Sequence, residues 1–228
     1  MDFTPEQLNI QSILSAKKHL MVPRFQREYC WDDHVTMEFF KDIVSRLDFS
    51  SEGTVPRKLP YFMGTLLFLG TMHGTDGGNQ LEIVDGQQRM TTITILLSAL
   101  AARMHDINPS MSAKVFEYVL DTDNDGDPFP VLTTKTSYPF FQNYVQAPVA
   151  KREALISNPE SEEDEAIKKA YDNYSKIIYV FLTIFLYLLK CPQSLILSAL
   201  RVFCFCGKPH ISRLIFLYFL YQTWLKSW

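Results

Sequence analysis

Residues Leu81–Leu97, LEIVDGQQRMTTITILL, constrain the fold of this chain more than any other stretch. Leu81, Ile83 and Val84 are strand formers that follow a glycine-rich turn. Asp85-Gly86 breaks the strand. From Gln87 to about His105 the chain is apolar on most sides, through Met90, Ile93, Ile95, Leu96, Leu97, Ala99 and Leu100, and this predicts a central helix rather than a surface one. Asp85 with Gln88 three residues on has the form of a capping box, which starts the helix at Gly86 or Gln87. The first turn or two then carries unpaired backbone N–H groups, Arg89, Thr91 and Thr92, a ready anion site. Gln87 and Gln88 add amide donors and acceptors, and the planar fork of Arg89 suits phosphate. The bland alternative is a polar helix start that only caps.

Two further stretches bear on that choice. Val22-Pro23-Arg24-Phe25-Gln26-Arg27-Glu28-Tyr29-Cys30-Trp31 lies upstream, and Phe62-Met63-Gly64-Thr65-Leu66 lies between the two. With Asp85-Gly86-Gln87-Gln88-Arg89 and Thr91-Thr92 they resemble, in order, three signatures of the GmrSD-type N-terminal domain, long filed as domain of unknown function 262. The resemblance covers roughly residues 5–174 and weakens after about Asp106. It implies an α+β fold of ParB/sulfiredoxin-like type, a small mixed sheet with packed helices, followed here by a helical C-terminal segment. It implies a nucleoside triphosphate as ligand, with Mg2+, bound and hydrolysed by a regulatory domain of a modification-dependent anti-phage restriction system. Carried over position by position, Asp85, Gln88 and Arg89 form the catalytic set. Gln26, Arg27, Gly86, Gln87, Arg89, Thr91 and Thr92 contact the nucleotide or its phosphates.

Divergence from the family pattern lies on the C-terminal side. The five histidines, His19, His34, His73, His105 and His210, are scattered and form no H-N-H constellation. The expectation is a sensor half, or a truncated copy of one, that does not cut DNA alone and reaches modified DNA through a partner or a missing nuclease domain. A non-catalytic ParB-like module that binds nucleotide or DNA is the competing reading.

Charge divides the chain unevenly. All 25 acidic residues lie at or before Asp172, beside 16 basic ones, whereas the remainder carries six basic residues and no acid. A net acidic main part disfavours broad, nonspecific nucleic-acid binding. Three of the four cysteines (Cys191, Cys204, Cys206) sit in the tail, and the start, MDFTPEQLNI, is no signal peptide. Reduced thiols and a cytoplasmic location follow. Residues 1–110 are read as the ParB-like core, 111–174 as a helical and hairpin extension, and 175–228 as an apolar basic tail. The tail, with apolar stretches between Ile177 and Leu225, leaves three readings open: a buried helical segment, a membrane-associated hairpin, or the product of a disrupted reading frame.

Elsewhere the pattern predicts a helix from Thr4 to the Lys17-Lys18 pair and an extended Leu20–Trp31 with Phe25, Arg27, Tyr29 and Trp31 on one side. It predicts a central strand over Tyr61–Leu69, with Gly64 marking a close approach. Asp121–Gly126 imitates half of a calcium loop but lacks the closing acid. It is read as the turn of a hairpin between Val115–Leu120 and Pro130–Thr134. Ser137–Val149 reads as an aromatic helix, and Glu160–Glu165 as a solvated helix start.

Overall fold

The computed structural model describes residues 4–48, 57–70, 72, 80–155 and 158–190. In chain order it contains α1 (Ile10–Leu14), β1 (His19–Val22), α2 (Asp33–Ser45), β2 (Leu47–Asp48), β3 (Arg57–Lys58), β4 (Leu67–Leu69), β5 (Gln80–Asp85) and α3 (Gln87–Met104). There follow α4 (Pro109–Phe116), β6 (Leu120–Thr122), β7 (Pro128–Pro130), β8 (Leu132–Thr134), a π-helical turn (Gln142–Gln146), α5 (Val149–Leu155) and α6 (Glu162–Lys190). The fold is α+β, built on a small mixed sheet.

The chain divides into two compact units, Met1–Thr36 with Gly64–Ser175, and Met37–Met63 with Lys176–Trp228. The first holds the four-stranded sheet in the order β4-β5-β1-β8. β1 lies between two parallel neighbours, with Leu20 level with Leu81 on one side and with Leu132 on the other. β4 runs antiparallel to β5 at the edge. A strand flanked on both sides reads as a continuous apolar run, and Leu20, Met21 and Val22 are all buried. β5 alternates, with Leu81 and Ile83 buried and Glu82 half-buried. Each such aliphatic side chain taken from water contributes about 1.5–3 kcal/mol. α3 continues the core through Met90, Ile93, Ile95 and Ala99 and packs against α4, the π-helical turn and β8. The three parallel strands β1, β5 and β8 share a direction, so Val22, Asp85 and Thr134 end on one edge of the sheet. Open sheets bind ligands beyond the carboxyl ends of their parallel strands.

In the second unit β2 and β3 form a short antiparallel ladder. The Tyr61 ring lies edge-on to Phe39 and 5.6 Å beneath the Arg46 guanidinium. Among the described residues no helix is long and apolar enough to cross a membrane. The apolar tail after Lys190, with Cys191, Cys204, Cys206 and His210, lies outside the described residues, as does most of the glycine-rich loop before β5.

Several expectations from the sequence are corrected. α1 starts only at Ile10, capped by Asn9, whose side chain accepts the Ser12 N–H at 2.7 Å. Residues 4–9 are exposed and offer no apolar face to bury, which overrides the cap signal at Thr4. Lys17 takes a left-handed φ of 55° just past the end of α1. β1 stops at Val22, and a turn replaces the rest of the expected extension. Only Leu67–Leu69 of the expected central strand pairs, and at an edge, because Gly64 turns the chain at φ 87°. The acidic turn does close a hairpin, but between β6 and β7; Asp123 Oδ1 accepts the N–H groups of Asp125 and Asp127, and β8 leaves for the main sheet. The aromatic segment forms a π-helical turn in place of an α-helix, with Phe140, Phe141 and Val145 buried. The acidic start of α6 is only partly solvated: Glu163 and Asp164 are buried.

Candidate functional site

β5 delivers Asp85 to the sheet edge, and Gly86 then turns the chain at φ 96° into α3. A side chain at Gly86 would be strained by that φ, and its Cβ would lie 2.2 Å from Leu66 Cδ2. Glycine also has no side chain to cap the helix, and no side-chain cap hydrogen bond is made there among the described residues. The expected capping box does not form. Asp85 lies 3.5 Å from Arg89 Nη2 in an i,i+4 pair, and the Gln88 side chain points elsewhere.

Arg89 is held on three sides. Its Nη2 donates to Thr65 O at 2.7 Å. Gly64 gives it room, since a Cβ there would lie 2.2 Å from Nη1. Its side chain keeps 21% exposure, so the guanidinium stays in reach of solvent. The close approach foreseen at Gly64 is therefore made by this arginine.

Gln88 acts as a two-pronged clamp. Its Oε1 accepts the Cys30 N–H at 3.0 Å and its Nε2 donates to Glu28 O at 2.9 Å. Ahead of that clamp, Gln26 Nε2 donates to Val84 O at 2.9 Å. The backbone of residues 26–30 is thus pinned to both sides of the Asp85-Gly86 turn. Arg27, exposed, sits between the two anchors.

Behind the clamp runs a buried chain of hydrogen bonds. Thr92 Oγ1 donates to Gln88 O at 2.8 Å, and so receives the Tyr29 hydroxyl proton at 3.0 Å. The Tyr29 N–H donates to Glu163 Oε1 at 2.9 Å, and the Ser137 hydroxyl donates to the neighbouring Asp164 carboxylate. Residues following β1, β5 and β8 are therefore tied together through α6. Burial pushes the Tyr29 phenol up, which keeps it a donor, and burial raises Glu163 against the hydrogen bonds that favour its charge.

Gln87 and Thr91 complete the first turns. Both are buried, Gln87 at 9% exposure, and among the described residues neither side chain has a hydrogen-bond partner. No group of three His, Cys, Asp or Glu side chains that could hold a metal occurs among the described residues. Asp85 is the acid at the turn, and one carboxylate together with substrate phosphates is the usual setting of Mg2+.

The structure thus brings Gln26, Arg27, Asp85, Gly86, Gln87, Gln88 and Arg89 to one place, with Thr91 and Thr92 one turn behind. Reading the sequence missed Tyr29 and Glu163 as its support, since the contact joins residues far apart in the chain. It also set Phe25 on the same face as Tyr29. Pro23, in register with turn chemistry over the next three residues, was the signal for the break.

Residues 10–217 match the family model described as the GmrSD restriction endonuclease, N-terminal domain. That span runs well past Tyr174, so the tail up to residue 217 falls inside it. No curated protein matches the chain.

Proposed function

The chain belongs to the GmrSD restriction endonuclease N-terminal domain family, a component of restriction, anti-phage systems, and we propose from that premise that the turn between β5 and α3 binds the phosphates of a nucleoside triphosphate. The observation that carries the reading is the start of α3, where Gly86 offers no side-chain cap and the Gln87 side chain makes no hydrogen bond among the described residues. The helix amides and its partial positive charge favour a phosphate, and Arg89 and Arg27 add guanidinium donors. Asp85 would hold Mg2+ with the phosphates, and the ion would supply charge neutralisation at the phosphoryl oxygens.

Gln88 takes a different role from the catalytic one that the resemblance implies. Both of its amide atoms are occupied by the backbone at Glu28 and Cys30, so we assign it to positioning Arg27. Thr92 supports the same brace. In this reading hydrolysis rests on Asp85 and Arg89, and the domain acts as a nucleotide-responsive regulator. DNA cleavage is assigned to a nuclease module that works with it, because this sequence carries no H-N-H constellation.

Calorimetric titration of the full chain with the four nucleoside triphosphates and Mg2+ tests the reading. Binding by the wild type, weakened by about 1–3 kcal/mol in Arg89→Ala, is expected. A folded wild-type chain that binds none of the four contradicts it.

A further inference from the structure

The turn after β1 holds Phe25 in water at 78% exposure, although Tyr29, four residues on, is 3% exposed. Alternation along an ideal strand would give the two rings one face, and a phenylalanine gains by leaving water. The ring is not on a loose loop. The Gln26 N–H donates to Pro23 O at 3.2 Å, and the Gln26 side chain donates to Val84 O at 2.9 Å. Phe25 is thus carried one residue from an anchor at Val84, near the end of β5, and Gly86 and Gln87 follow that anchor by two and three residues. Arg24 and Arg27 flank the ring; both are exposed, and neither has an ion-pair partner among the described residues. An anchored, exposed ring with an arginine before it and another two residues after it in the chain, close to the β5–α3 turn, suits a flat aromatic group joined to phosphate.

Resting on the phosphate reading above, we propose that Phe25 is the platform on which the base of the bound nucleotide stacks. The ligand is then a base-bearing polyphosphate rather than an inorganic anion. Every base has a π-face, so the stack selects for a base without deciding which one. Arg24 and Arg27, exposed on either side of Phe25 in the chain, add positive charge for the phosphates.

The full chain is titrated with each of the four nucleoside triphosphates and with inorganic tripolyphosphate, all with Mg2+, in wild type, Phe25→Ala, Phe25→Leu and Phe25→Trp. At least one nucleotide should bind the wild type more tightly than tripolyphosphate does. Phe25→Ala and Phe25→Leu should remove that preference, a loss of roughly ten- to hundred-fold, and Phe25→Trp should keep it. Tripolyphosphate affinity should be the same in all four proteins. Tripolyphosphate binding without any preference for a nucleotide, or a preference that survives both Phe25→Ala and Phe25→Leu, overturns the stacking role and leaves the phosphate site standing. A wild type that binds neither tripolyphosphate nor nucleotide overturns both. If Phe25→Ala instead weakens only a short single-stranded oligonucleotide, the ring serves a nucleic-acid strand and the proposal fails.

Discussion

The helices α3 and α6 begin in opposite ways. α6 opens with Glu162, Glu163, Asp164 and Glu165, and it satisfies its own end. Ser161 Oγ accepts the Asp164 N–H at 3.1 Å, and the Asp164 carboxylate accepts the Glu160 N–H at 3.1 Å and the Ser137 hydroxyl. Four acids in one turn also neutralise the positive end of the helix dipole. α3 has no acid in its first turn, a glycine as its cap residue, no side-chain cap, and an arginine three residues in. Both ends have the same orphan N–H groups. One meets them with the chain's own oxygens; the other makes no side-chain cap among the described residues. A helix start by itself therefore says little. What distinguishes α3 is what surrounds its start: Gln88 bonds the backbone at Glu28 and Cys30, and Arg89 packs on Gly64.

The largest effect should come from making α3 resemble α6. Gln87→Glu places an acid in the first turn, beside the helix dipole. Phosphate then meets a like charge, and affinity for nucleoside triphosphate and tripolyphosphate should fall at least a hundred-fold, while thermal stability changes by about 1 kcal/mol or less. Affinity that persists in calorimetry, with an unchanged melting temperature, would show that phosphate does not sit there.

Next in size is Gly64→Ala. Its φ of 87° strains any side chain, and the added methyl meets the Arg89 guanidinium. We expect a loss of about 1–3 kcal/mol in chemical denaturation, with weaker nucleotide binding because Arg89 is displaced. Arg89→Ala in the same background should then cost less than it does alone.

The smallest effect concerns the brace. Glu163 is buried and its pKa is raised. A group raised in the folded state contributes stability below its unfolded pKa, and that contribution is lost as pH rises through the folded value. Glu163→Gln keeps an acceptor for the Tyr29 N–H and removes the titration. Its stability relative to wild type should therefore improve as pH rises from the acid range to neutrality. A difference that is flat with pH, measured by urea melts across that window, would mean that Glu163 is not held toward its neutral form.

The local parts of this arrangement were legible in the sequence. The strand formers Leu81, Ile83 and Val84, the break at Asp85-Gly86 and the apolar run after Gln87 all act within a few residues, and they produce β5, the turn and α3 where expected. The approach of Gln26 to this turn was also legible, through its motif, although the structure places it in the turn after β1 rather than on a strand. What was not legible depended on distant partners. Asp85 forgoes the capping box because Gly86, in a left-handed conformation, takes the cap position and Arg89 takes the carboxylate. Gln88 turns away from the helix because the backbone at Glu28 and Cys30 offers it two bonds. Glu163 looked like one of five solvated acids until the Tyr29 N–H, 134 residues away, drew it inward. Phe25 left the predicted strand face because Pro23 turns the chain and Gln26 fastens the turn to Val84.

The most direct test watches the backbone amides themselves. In a 15N–1H NMR titration of the full chain with Mg2+ and nucleoside triphosphate, the amides of Gly86, Gln87, Gln88 and Arg89 should show the largest saturable shifts. Those of Ser161 to Glu165, at the self-capped start of α6, should stay put. Saturable shifts that bypass Gly86–Arg89, or that appear equally at the start of α6, would contradict the account.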